Sequence, residues 1–196
     1  MKLLLFTDVH SNKSSLDKII KKAENSDILV CLGDLTMFQA YMKTFLKELN
    51  SVKKPVLMLP GNHESESELK NMCKEFKNII FLHKDEYETG DLLFLAYGGG
   101  GFAENDPRFE AISKTWEKII KPNQKVILLT HGPPYGTSVD IIGKNHVGNK
   151  SYTKFIEKTQ PTLALCGHLH ENFYKIGRIG KTIVMNPGPD GRIYTI

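Results

Sequence analysis

KLLLFTDVH at residues 2–10 and DILVCLGDL at residues 27–35 decide how this chain folds. In each, a short apolar run ends abruptly in residues that bind metals or accept hydrogen bonds: Asp8 and His10 after the first, Gly33-Asp34 after the second. Runs of this length, rich in Leu, Ile and Val, read as buried strands. Between them, Leu16, Ile19, Ile20 and Ala23 recur at helical spacing, so the segment opens as strand, helix, strand.

The alternation continues outward. Strands are predicted at residues 2–7, 28–32 and 55–59, with helices at 14–23, 38–49 and 66–76. Residues 79–82 and 92–97 read as strands separated by a turn at 88–91. The run Gly98 to Gly101 matches no dinucleotide or P-loop pattern and reads as tight backbone geometry, feeding a helix around residues 111–120. After a strand at 125–130 comes a long loop containing Pro133, Pro134, Gly136 and Gly143, of the kind that is functional or mobile. A helix near 152–157, a strand at 163–166 and short strands at 173–176, 182–185 and 193–195 complete the chain, the last three as antiparallel strands finishing a sheet. The fold class expected is α/β, over one domain spanning residues 1–196.

Composition narrows the function classes. No apolar stretch approaches a membrane span, and Asp8 interrupts the run where a signal peptide would continue, so a soluble, unprocessed chain without membrane association is expected. Three cysteines without a CxxC spacing indicate neither a disulfide framework nor a zinc knuckle, which fits the cytoplasm; Cys31 and Cys166 end apolar runs and read as buried thiols. The net charge of +4 is spread over lysines such as Lys18, Lys21, Lys22, Lys43 and Lys47, a pattern of solvated helix faces. That argues against dedicated nucleic-acid binding and leaves a small phosphorylated substrate compatible. Nothing in the sequence sets an oligomeric state.

Metal-capable side chains fall directly after the predicted strands: Asp8 and His10, Asp34, Asn62 and His63, His131, then His168 and His170. Five of the seven histidines sit at such positions, and in α/β sheets the ends of neighbouring strands converge on one crevice, so these residues are expected to meet. Asp8-Val-His10, Gly33-Asp34, Gly61-Asn62-His63-Glu64, Thr130-His131-Gly132 and Gly167-His168-Leu169-His170, in that order, resemble the calcineurin-like metallophosphoesterase family, particularly its small single-domain branch.

The resemblance implies a layered sandwich of two mixed sheets flanked by helices, and two divalent ions drawn from Mn, Fe, Zn or Co. It implies that Asp8, His10, Asp34 and His170 hold one ion and that Asp34, Asn62, His131 and His168 hold the other, with Asp34 shared. It further implies hydrolysis of a phosphodiester, such as a cyclic nucleotide, or of a phosphomonoester, by a metal-bridging hydroxide. Asp34 and Asn62 then serve the reaction directly, and His63 protonates the leaving oxygen, as imidazole can near neutral pH. The alternative is a catalytically weak metal-binding scaffold, as in non-catalytic branches of the superfamily; His63 argues against it.

The chain also departs from its relatives. The protein phosphatases of the superfamily carry an Asp and an Arg soon after the second motif, where Met37 and Phe38 stand here, so the group orienting His63 is not apparent. His146, Arg108 and Asn105 are candidates for substrate contact, and His83 reads as a surface residue.

Overall fold

The computed structural model describes residues 1–196. In chain order the elements are β1 (Lys2–Phe6), α1 (Lys13–Ala23), β2 (Ile28–Cys31), α2 (Met42–Ser51), β3 (Val56–Met58), α3 (Glu66–Cys73), β4 (Ile79–Phe81), β5 (Asp85–Thr89) and β6 (Leu92–Tyr97). They continue with α4 (Pro107–Ile119), β7 (Lys125–Thr130), β8 (Ile141–Ile142), β9 (Asn145–His146), α5 (Lys150–Thr159), β10 (Leu163–Leu165), β11 (Ile176–Ile179), β12 (Thr182–Met185) and β13 (Arg192–Thr195).

Two mixed sheets form the centre, in the orders β13-β1-β2-β3-β4 and β11-β12-β10-β7-β6-β5. The period-2 alternation of the strands assigns each residue to a layer. Leu3, Leu5, Val30 and Leu57 of the first sheet face Phe94, Ala96, Ile127, Leu129, Leu163 and Leu165 of the second, so the sheets pack on each other. Their neighbours Leu4, Phe6, Leu29 and Cys31 turn outward onto Leu16 and Ile19 of α1, Phe45 and Leu49 of α2 and Leu69 of α3. On the far side, Leu93, Leu95 and Leu128 meet Phe109 and Trp116 of α4 and Phe155 and Ile156 of α5. The result is helix, sheet, sheet, helix, as expected; strands covered on both faces explain the uninterrupted apolar runs.

β1, β2 and β3 run parallel in one sheet, and β6, β7, β10 and β12 in the other. Their carboxyl ends therefore carry the polar residues that follow each run to a common edge.

Several elements differ from expectation. α2 begins at Met42 and not at residue 38, because Phe38, Gln39 and Tyr41 hold left-handed backbone (φ 46°, 65° and 62°). β5, with the exposed sequence Asp85-Glu-Tyr-Glu-Thr89, pairs antiparallel with β6 at the sheet edge; its charged outer face conceals it from a hydrophobicity pattern. Residues 173–175 are not strand, and the tail divides: β11 and β12 extend the second sheet, whereas β13 pairs with β1 in the first. α4 starts at Pro107, where Asp106 caps it by accepting from Arg108 N and Phe109 N. All three cysteines are buried and free. No helix is long and apolar enough to cross a membrane.

Phe109 is fully buried, with ring centroids 4.6 Å from Tyr152, 5.3 Å from Tyr97, 5.7 Å from Phe155 and 6.0 Å from Trp116. Phe109→Ala is expected to lower unfolding free energy by about 3–5 kcal/mol in urea titrations. A loss under about 1 kcal/mol would mean that the α4–α5 layer repacks around the vacated space.

Candidate metal centre

All eight candidate residues meet at the shared carboxyl edge, arranged by depth. Asp8, Asp34 and His131 are buried, His10, His63 and His168 are partly exposed, and Asn62 and His170 stand at the rim. Three groups of side chains are close enough to hold an ion: Asp8, His10 and His170; His10, Asp34 and His63; and Asp8, Asp34 and His131.

Each carboxylate divides its two oxygens between backbone and cluster. Asp8 Oδ2 accepts from Thr7 Oγ1 at 2.7 Å and His168 N at 2.9 Å. Its Oδ1 has no hydrogen-bond partner and lies 3.6 Å from His170 Nε2 and 3.7 Å from His10 Nε2. Asp34 Oδ1 accepts from His63 N at 2.9 Å, whereas Oδ2 faces three imidazoles: His131 Nε2 at 3.4 Å, His10 Nε2 at 3.7 Å and His63 Nε2 at 3.9 Å. A single oxygen of Asp34 is thus common to both halves of the cluster.

The second half closes around Asn62, whose Oδ1 lies 2.8 Å from His168 Nδ1 and 3.0 Å from His131 Nε2. His131 Nδ1 donates to the Leu32 carbonyl at 2.8 Å, which directs the other ring nitrogen into the cluster. On the first side, His10 Nε2 and His170 Nε2 approach to 3.1 Å beside Asp8 Oδ1. Lone pairs converging in this way, with Asp8 Oδ1 buried and unpartnered, match the oxygen and imidazole donor set of a transition-metal site.

The protonation behaviour carries the same message. Burial opposes ionisation of Asp8, yet His10 and His170 hold its carboxyl well below the usual range. Burial likewise opposes the charged form of His131, but Asp34 and Asp8 raise it to about 9. Two buried carboxylates side by side draw positive charge toward themselves.

The backbone is shaped to this task. Asp8, His10, Asp34 and His168 all hold left-handed backbone, with φ of 52°, 47°, 52° and 69°. Such conformations cost of order 1 kcal/mol or more for residues other than glycine and concentrate at functional sites. The glycines of the motifs serve close approach: a Cβ on Gly61 would fall on the Asp34 carboxylate, and one on Gly167 on Thr7 Oγ1.

Glu64, whose part was not readable in the sequence, organises the loops. Its buried carboxylate accepts from Gly61 N at 2.8 Å, Asp34 N at 2.9 Å and Thr36 N at 3.3 Å, fastening the second motif to the third. Burial and the Asp34 charge push its carboxyl up to about 6. It is therefore not the partner of the His63 ring. That ring makes no bond to a carboxylate at Nδ1 and is held by packing, 4.4 Å from the Phe38 centroid and edge-on to His10 at 4.9 Å.

His83, expected at the surface, is instead inward: its side chain is 4% exposed, its Nδ1 accepts from Gly98 N, and desolvation lowers its pKa to about 4. Gly98 packs against Pro60, where a Cβ would meet the Pro60 carbonyl, and Gly99 N donates to that same carbonyl; Gly99 and Gly100 hold left-handed backbone (φ 69° and 92°). Arg108 lines a cavity with Gly61, Glu64 and these glycines, and His146 lines another beside Phe102. Asn105 is exposed and makes no side-chain hydrogen bond.

A family model described as calcineurin-like phosphoesterase matches residues 1–172. An uncharacterized protein of Methanocaldococcus jannaschii is 30% identical over 200 residues, covering 96% of this chain and 88% of its own. Metallophosphoesterase domain-containing protein 1 of Homo sapiens is 30% identical over 166 residues, which span 78% of this chain and 46% of that protein. The crystal structure of TT1561 from Thermus thermophilus shares the fold with a TM-score of 0.76 at 21% identity, covering 95% of this chain and 88% of the other.

Glu64→Gln would set an amide N–H against a backbone donor. The expected result is a loss of about 1–3 kcal/mol in unfolding free energy and a metal affinity lowered roughly tenfold or more by calorimetric titration. Unchanged values for both would show that the loops hold their places without it.

Proposed function

The chain belongs to the calcineurin-like phosphoesterase family, and from that premise we propose that it hydrolyses phosphoric esters with two divalent ions. The observation carrying this reading is Asp34 Oδ2, one oxygen faced by His10, His63 and His131 with Asp8 alongside. Asp8, His10, Asp34 and His170 would hold one ion, and Asp34, Asn62, His131 and His168 the other. Mn, Fe, Zn or Co suits these donors. When bound, such ions neutralise charge on phosphate oxygens and lower the pKa of a water molecule.

The chain's own residues supply the rest. The Leu32 carbonyl fixes the His131 tautomer, and Thr7 with His168 N leaves Asp8 one oxygen for the centre. His63 belongs to neither set of four and stands at the mouth beside Asn62, where it would protonate the departing oxygen. Proton donation contributes most when the leaving group is poor, which favours phosphodiesters over activated monoesters. A small soluble diester is the proposed substrate, and the cytoplasm the proposed location.

A second reading, a metal-binding scaffold with weak catalysis, draws support from the His63 ring, whose Nδ1 has no hydrogen-bonded carboxylate to orient it. Turnover separates the two. Protein loaded with Mn is expected to hydrolyse diesters; Asp34→Asn should abolish that activity, and His63→Asn should lower it about 10²-fold on esters of alkyl alcohols and far less on nitrophenyl esters. Equal losses on both ester types would remove His63 from proton transfer, and no turnover by the loaded wild type would favour the scaffold.

A further inference from the structure

Phe102 is 64% exposed, yet its ring lies 4.8 Å from that of His168 in the metal centre. It therefore links that centre to a neighbouring space. Beyond it opens a cavity of ≈ 370 Å³ lined by Phe102, Glu104, Tyr135, His146, Val147 and Gly148, a size suited to a small organic group.

The far side of this cavity is built on one carboxylate. Asp140 is fully buried and accepts from Thr137 N at 2.8 Å, Gly136 N at 3.0 Å, Gly148 N at 3.1 Å and His146 Nδ1 at 2.8 Å. Donation of Nδ1–H to Asp140 leaves Nε2 as the free nitrogen of His146. The Tyr135 ring lies 5.5 Å from His146, and Lys150 Nζ stands 4.9 Å from the Tyr135 centroid while pairing with Glu104. A loop with no purpose beyond connection does not need a buried carboxylate with four donors to hold a histidine at its surface.

We propose that this cavity receives the nucleobase of the substrate, with Phe102 as a stacking surface and His146 Nε2 as a hydrogen-bonding partner for the base edge. The proposal rests on the reading of the neighbouring cluster as the phosphate site. Flat aromatic walls favour a flat aromatic occupant over a sugar or an alkyl chain. A plain aryl ring would leave His146 Nε2 without a partner, whereas a base carries donors and acceptors on its edge. Phe102 neighbours His168 of the metal centre and also lines the cavity, so the sites for base and phosphate adjoin, as in a nucleotide ester.

The test compares two ligands that differ only in the base and that no phosphoesterase can cleave: the phosphonates of adenosine 5′-phosphate and ribose 5-phosphate with CH2 in place of the bridging oxygen. In calorimetric titrations of Mn-loaded protein, the adenosine compound is expected to bind about tenfold more tightly, the contribution of one stacked base. Phe102→Ala, at an exposed position, and His146→Gln should each shrink that gap to within about twofold. Equal affinities in the wild type, a gap surviving both substitutions, or phenylphosphonate binding as tightly as the adenosine compound would overturn the proposal. A retained gap without hydrolysis of any ester would leave the base subsite standing and sink the hydrolase reading; turnover with equal affinities would do the reverse.

Discussion

Asp8 and Asp34 lie side by side, both nearly inaccessible to solvent, with His131 fully buried between them and the protein interior. Burying a carboxylate costs several kcal/mol unless charge or hydrogen bonds compensate it, and burying two together adds their repulsion. Backbone and hydroxyl donors satisfy only one oxygen of each. The remaining oxygens face a ring of imidazole nitrogens, so the edge requires positive charge close to them, which protonated imidazoles or bound cations would supply. That requirement explains why so many other features are shaped around this spot.

The sheets supply the positions. Parallel strands from two packed sheets end at one edge, so five loops from distant parts of the sequence deliver one or two side chains each. The close approach of these loops demands glycine at positions 61 and 167, and left-handed backbone at Asp8, His10, Asp34 and His168 turns side chains inward that an extended strand end would direct elsewhere. Glu64 and Asp140 perform parallel tasks on opposite sides, each spending a buried carboxylate on backbone N–H groups to fix a loop. One holds the metal loops together; the other presents His146.

Much of this was legible in the sequence because burial on both faces writes itself as continuous apolar runs, and because polar residues at strand ends stand out against them. The eight-residue cluster followed from that contrast. What the pattern hid was of another kind. β5 is an exposed, charged edge strand, and the start of α2 is displaced by left-handed residues at Phe38, Gln39 and Tyr41 that no periodicity reveals. Glu64 and Asp140 act on backbone groups of loops whose approach depends on the tertiary fold, so adjacency in sequence could not expose their roles. His83 looked superficial because nothing local indicates that Gly98 N will seek its ring.

Asp34 Oδ2 is the oxygen proposed to be shared between two ions. Titrating the metal-free protein with Mn(II) while recording its electron paramagnetic resonance spectrum measures both number and proximity. Saturation at two ions per chain, with the exchange-coupled spectrum of a bridged pair, is the expected result. Saturation at one ion, or two ions giving only the six-line signal of isolated Mn(II), would contradict it.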